Sequence, residues 1–261
     1  MAINRKLWSP PFASFPSWLC PSCQSGTLAL NKETFNNLET GVSKKSHDHE
    51  AWEPEWIVER FVGLLVCQSE ECGEMVAIGG HSHTSEFSDY EQRERFLEHT
   101  FEPIFMCPAP PIFPIPEKCP KAIRKELKRA FSLFWSDTGS CANRLRAAAE
   151  TLLTDRKVPR TRLNKEGKRE RISLHARIEK FRRTDARSAE YLSAIKWIGN
   201  AGSHPNVDEL NGDDLLDGFE LFEHVIELIY MRREEHLKKL ARNINSRRGR
   251  PIRQKHAFLW E

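Results

Sequence analysis

The spacing of apolar residues changes along the chain. In the first hundred residues, short apolar runs stand between turn residues, and the runs 61–66 and 75–78 have the composition of two strands of a hairpin. After Pro120, apolar residues recur every three or four positions, which is the period of an amphipathic helix. The pattern therefore predicts an α+β protein with a small N-terminal β module followed by an all-α helical bundle.

Five helices are predicted in the C-terminal half. The first covers about 120–136, the second has Ser140 as its predicted N-cap, and the last begins near Asp213 with its acidic residues early, as the helix dipole favours. Two more are marked by apolar positions at Leu174–Phe181 and Tyr191–Ile198.

Seven prolines between positions 103 and 120 exclude a helix or a central strand and favour a stiff, extended connector. They divide the chain into a module at 15–100, a linker at 101–120, a helical bundle at 121–243 and a basic tail at 244–261. The module contains an insert, about Asn31 to Glu59, that is expected to be a long loop.

Two cysteine pairs indicate a metal site. Two residues separate Cys20 from Cys23, four residues separate Cys67 from Cys72, and a glycine follows each pair. Four thiolates on two tight turns suit a tetrahedral zinc ion, and a site filled by four protein ligands is structural. The module would then be a zinc ribbon. The alternative is that these are ordinary buried cysteines.

The composition excludes a polycation of the histone type, because 37 Asp and Glu nearly balance 40 Lys and Arg and leave a net charge of +3. Basic residues are nevertheless concentrated at 156–171 and 232–255. We expect nucleic acid, and RNA in particular, to be the partner, through phosphate contacts and counterion release. The candidate contacts are Arg144, Arg146, Arg247, Arg248 and Arg250, and the alternative is a solvated surface.

No apolar run approaches the length of about 18 residues that a membrane-spanning helix needs, and no secretory signal is evident. A cytoplasmic protein without membrane contact is expected.

One segment has residues suited to catalysis. Lys196, Asn200 and His204 are four residues apart and would form one stripe of a helix if the helix continues that far. Histidine can move the proton of an RNA 2′-hydroxyl, a cation can stabilise the charged phosphorane, and an amide can orient the phosphate. Alternatively, Gly202 ends the helix and His204 is a C-terminal cap.

Several motifs resemble the family catalogued as domain of unknown function 4145. They are the cysteine module, Arg144-Leu-Arg146 with Glu150, Leu-His-x-x-Ile at 174–178, and Lys196-x-x-Gly199-Asn200-x-x-x-His204, over about residues 15–235. The family is similar to the HEPN superfamily of helical bundles. That resemblance implies a homodimer with a composite site, and, in many members, metal-independent ribonuclease activity in toxin, abortive-infection and restriction systems. Active HEPN nucleases usually have an arginine where this chain has Gly199, and Lys196, Arg144 or Arg146 would have to replace it.

Two hypotheses follow. In the first, the protein is an effector of a prokaryotic defence or toxin-type system, and His204, Asn200 and Lys196 cleave RNA as a metal-independent endoribonuclease. In the second, it is a non-catalytic adaptor that binds nucleic acid or protein and contains a structural zinc.

Overall fold

The computed structural model describes residues 3–89, 94–202, 210–231 and 233–247. An antiparallel sheet forms the N-terminal part, and helices form the C-terminal part, so the predicted α+β class is confirmed. Among the described residues, no helix is both long and apolar enough to cross a membrane.

The sheet has four strands in sequential order, β1 (Leu28–Glu39), β2 (Val58–Cys67), β3 (Met75–Asp89) and β4 (Glu94–Cys107). The predicted hairpin is present: Val66 of β2 pairs with Met75 of β3, and the turn between them contains Cys72. The prediction of a loop at 31–59 is wrong, because β1 pairs with β2 as far as Glu39 and Glu59. The short helix α1 (Gly41–Ser46) and a 3₁₀ turn at Pro54–Trp56 connect the two strands.

Residues 101–107, which were predicted to be linker, form the second half of β4. Pro103 has no amide hydrogen to donate to a neighbouring strand. It is tolerated here because β4 is an edge strand of the sheet. The actual connector begins at Pro108 and packs tightly: Ile112, Phe113 and Ile115 are all buried.

The helical region contains α2 (Lys121–Leu133), α3 (Thr138–Asp155), α4 (Leu174–Arg182), α5 (Ala186–Ala201) and α6 (Gly212–Ile226). Asp137, and not Ser140, caps α3: its carboxylate accepts a hydrogen bond of 2.7 Å from the Ser140 backbone N–H. The basic stretch between α3 and α4 is a small hairpin, β5 (Thr161–Leu163) and β6 (Arg169–Arg171), instead of an irregular loop.

After α6, one turn of π-helix (Glu227–Met231) precedes α7 (Arg233–Arg247). The predicted tail therefore begins too early, because residues 244–247 belong to α7. Alternating charges and the apolar positions Leu237, Leu240 and Ile244 extend the helical pattern through this basic segment.

One hydrophobic core extends through both parts of the chain. Trp8 stacks on Trp135 with 5.1 Å between ring centroids, and it meets Phe134 edge-on with 5.5 Å between centroids. The ring centroids of Trp18 and Trp135 are 5.8 Å apart. Arg5 forms ion pairs with Asp213 and Asp217 of α6. The N-terminal segment thus joins the β module to the helices.

Candidate functional site

The four cysteines of the two pairs lie together at one end of the sheet. All four sulfur atoms are within 4.8 Å of one another. The Cys20 and Cys72 sulfurs are 3.7 Å apart, and those of Cys23 and Cys67 are 3.8 Å apart. A tetrahedral zinc with Zn–S bonds of about 2.3 Å requires sulfur–sulfur distances of roughly 3.8 Å, so the observed spacing fits.

Each pair sits on a tight turn whose amides point at sulfur. The Ser22 N–H donates to Cys20 Sγ at 3.4 Å, that of Gly26 to Cys23 Sγ at 3.3 Å, and that of Ser69 to Cys67 Sγ at 3.5 Å. Gly26 is required because a Cβ there would lie 2.7 Å from Cys67 Sγ. These donors stabilise thiolate charge, as in metal–thiolate sites.

The two thiols of the first pair differ in acidity. Burial raises the pKa of Cys20 to about 12, whereas hydrogen bonds from Ser25, and from the Gly26 amide, lower that of Cys23 to about 6. A bound cation would favour the thiolate form of every ligand. Since the chain supplies four ligands, a metal here would cross-link the two turns and have no open position for a substrate.

A second constellation lies where α3 crosses α5. Arg146 of α3 donates a hydrogen bond of 2.7 Å from Nη1 to Oδ1 of Asn200 on α5. Arg146, Lys196 and Asn200 line one cleft of about 370 Å³. The structure therefore brings Lys196 and Asn200 together. Arg146 supplies a guanidinium to the same cleft, although position 199 itself is a glycine.

The charges in this cleft are partly neutralised. Arg146 Nε lies 3.9 Å from Glu150, and Arg171 of β6 approaches the same carboxylate at 2.9 Å. Lys196 is only 6% exposed, and its Nζ lies 3.5 Å from the centroid of the Trp197 ring. Burial lowers the pKa of Lys196.

Gly199 explains why no arginine stands at that position. A Cβ on Gly199 would lie 2.6 Å from the Arg146 Cβ, so the two helices are in contact there. Any larger side chain would separate the helices. The Arg146 side chain lies against Gly199 and its guanidinium reaches Asn200, the next residue along α5.

The predicted stripe on α5 ends at Asn200. The helix stops at Ala201 with Gly202 as its C-cap, and His204 lies outside the described residues. Arg144 pairs with Glu126 of α2 at 3.4 Å and does not line the cleft. Arg247 is the last residue of α7, and Arg248 and Arg250 lie outside the described residues.

Two residues of the cleft were missed from the sequence. His175 is the histidine of the Leu-His-x-x-Ile motif; it lines the cleft and is exposed. Trp197 is 64% exposed, which is unusual for so large an apolar ring. Trp197 lies within the predicted helix, and nothing in the sequence marked its ring as solvent-facing.

Comparison with known families gives two matches. Residues 12–109 match a family described as domain of unknown function DUF8608. Residues 128–247 match the family described as domain of unknown function DUF4145. No curated protein matches the chain, and no solved structure does. The cysteine module, which the resemblance had included, thus matches a family model of its own, and the DUF4145 model matches the helical region alone.

Proposed function

We propose that this protein is an RNA-directed effector of a prokaryotic defence or toxin-type system, acting as a metal-independent endoribonuclease at the cleft between α3 and α5. The observation that carries the proposal is the 2.7 Å hydrogen bond between Arg146 and Asn200 beside Lys196. The resemblance to HEPN proteins supplies the defence setting and the homodimer. The four-cysteine site holds a structural zinc in this proposal.

The residues divide the chemistry as follows. Arg146 and Lys196 stabilise the negative charge of the phosphorane. Because Asn200 Oδ1 accepts from Arg146, its Nδ2 is left to donate to a phosphate oxygen. His204 removes the 2′-hydroxyl proton, the 2′-oxygen attacks phosphorus, and the bond from phosphorus to the 5′-oxygen of the next nucleotide breaks. The 5′-oxygen takes the proton back from His204 and leaves as a hydroxyl, and the other product is a 2′,3′-cyclic phosphate.

The first test is incubation of wild type and His204→Ala with total RNA in EDTA, followed by analysis of the fragment ends. We expect cyclic phosphate ends from wild type and from His83→Ala, a control on the sheet, and none from His204→Ala. Cleavage by His204→Ala at the wild-type rate would contradict the mechanism.

The second test compares two neighbouring arginines of α3. Arg146→Lys keeps the charge but loses the planar fork that reaches Asn200, so we expect at least a tenfold lower cleavage rate, or about 1.4 kcal/mol. Arg144→Lys is the control, because Arg144 pairs with Glu126 outside the cleft. Equal effects would contradict the assignment of Arg146.

The alternative function is a non-catalytic adaptor. It is favoured by the packing of the Gly199–Gly202 segment, since a Cβ on Gly202 would lie 2.7 Å from the Gly139 carbonyl oxygen. In that case the segment serves helix packing, and neither wild type nor His204→Ala cleaves RNA although both are folded and dimeric. Light scattering measures the dimer in both cases.

A further inference from the structure

A larger groove lies between the cysteine module and α2. Its volume is about 770 Å³, and none of its lining residues belongs to the cleft between α3 and α5. One wall is the turn at Pro21–Gln24, the opposite wall is α2, and the connector after Cys107 forms the floor.

The α2 wall is strongly basic. Five cations line the groove from successive turns of this helix: Lys121, Arg124, Lys125, Lys128 and Arg129. Three of them, Lys121, Lys125 and Lys128, are exposed and have no carboxylate partner in the part of the chain that the structure describes. A spacing of four residues along a helix is about 6 Å, so the cations form rows of regularly repeated charge.

The remaining surface is mostly apolar and is held in place. Met106, Pro111 and Ile115 contribute to the floor, and Glu74 is the one acidic residue among the described lining residues. The side chain of Gln24, within the first cysteine turn, accepts a hydrogen bond of 2.8 Å from the Ile115 backbone N–H. The cysteine turn is therefore fixed against the connector, and the groove is preformed.

We propose that this groove binds a single strand of nucleic acid through its phosphodiester backbone. A row of like charges at regular spacing matches a polymer with one negative charge on every unit, and an apolar floor accepts sugar and base faces. An acidic peptide would match this row of cations only if nearly every one of its residues carried a carboxylate. The inference rests on the nucleic-acid partner of the proposed function, but not on cleavage.

The test is fluorescence anisotropy with two labelled probes of about 12 nucleotides, a length within the range of single-strand binding sites. Oligodeoxythymidine and 2′-O-methyl oligouridine both lack a free 2′-hydroxyl, so cleavage cannot interfere, and their comparison separates DNA from RNA. The double variant Lys125→Ala/Lys128→Ala is compared with Lys44→Ala/Lys45→Ala, which removes the same charge from exposed positions on α1.

We expect the groove variant to lower the slope of log affinity against log salt by about 1.4, since each phosphate of a single strand contributes about 0.7. The α1 variant should bind as wild type does. Equal losses in both variants, or none in either, would overturn the proposal. Displacement of the probe by polyglutamate as effectively as by unlabelled oligonucleotide would overturn it in favour of an acidic protein partner.

The two proposals fail separately. If wild type never cleaves RNA and the groove variant loses affinity, the groove stands and the ribonuclease fails. If wild type cleaves RNA and the groove variant keeps its full affinity and salt dependence, the ribonuclease stands and the groove fails. Thermal melting of both lysine variants verifies that they remain folded.

Discussion

At the scale of single residues, Gly199 determines how closely α3 and α5 approach. It is buried, and a Cβ at this position would lie within 2.6 Å of Arg146 Cβ and 3.3 Å of the Ala142 carbonyl oxygen. This close approach of the helices brings the Arg146 guanidinium within hydrogen-bonding distance of Asn200. A larger residue at position 199 would therefore change the geometry of the cleft.

Gly199→Ala should therefore destabilise the protein by about 1–3 kcal/mol, the usual cost of overpacking. The matched control is Gly212→Ala at the start of α6, where the nearest atom to an added Cβ is Phe134 Cζ at 3.6 Å. We expect the control to be neutral or slightly stabilising, because alanine favours the helix. Urea denaturation measures both changes, and equal stabilities of the two variants would show that the helices can separate without cost.

The cleft was partly predictable at this scale. The spacing of Lys196 and Asn200 indicated a shared helix face, and the two side chains do line one cleft. The pairing of Arg146 with Asn200 connects residues 54 positions apart, and no local pattern gives such a contact. Arg144 and Arg146 were equal candidates in the sequence, and only the crossing of α3 with α5 distinguishes them.

At the scale of elements, the start of α3 depends on Asp137. Hydrogen bonds from the Ser140 side chain and backbone hold the pKa of this carboxyl below its ordinary value. A depressed pKa means that the folded state favours the ionised form. The stabilisation is complete above the unfolded pKa of about 3.9 and is lost as the pH falls through the folded value.

Asp137→Ala should cost about 1 kcal/mol at pH 7, as the loss of an N-cap does, and less at pH 3. Ser140→Ala is the control, since its backbone N–H remains available to Asp137, and we expect a smaller effect. Chemical denaturation at both pH values measures the difference. A larger loss of stability from Ser140→Ala than from Asp137→Ala would show that Ser140 is the main capping residue.

The two cysteine turns form the other decisive element, and the sequence predicted their meeting. We expect about one zinc per chain by elemental analysis, lost in Cys20→Ser/Cys23→Ser because the tetrahedral ligand set is broken. Cys107→Ser is the control, because Cys107 is an exposed cysteine outside the cluster. If the analysis finds iron instead of zinc, the identity of the metal is wrong. If it finds no metal, the prediction of a metal site is contradicted.

Strand and helix boundaries were less predictable than the cysteine site. Residues 31–39 are rich in Asn and have no clear alternation of apolar and polar positions, yet β1 forms because β2 supplies its hydrogen-bonding partner. Likewise, Pro103 weighs against a strand locally but is tolerated at a sheet edge. In both cases the partner strand, which is distant in sequence, decided the outcome.

At the scale of the whole molecule, the two family regions share one core. The gap between the two matched regions, 12–109 and 128–247, contains most of the connector and the first half of α2. This connector is buried at Ile112, Phe113 and Ile115, and Trp8 and Trp18 of the N-terminal segment pack on Trp135, just after α2. A metal in the cysteine site is therefore coupled to the helices through Gln24, Ile115 and the aromatic contacts.

This coupling predicts a single unfolding transition for the whole chain. Cys20→Ser/Cys23→Ser should lower the melting temperature of the sheet and the helices together, because the first cysteine turn and Trp18 belong to the same packed unit. Tryptophan fluorescence includes the signal of Trp8, Trp18 and Trp135 at the junction, and far-ultraviolet circular dichroism reports on the helices. Coincident midpoints are the expected result for one cooperative unit. Cys107→Ser should melt as wild type does. Helices that melt at the wild-type temperature after the β module has unfolded would instead show that the two family regions fold independently, despite the core that they share.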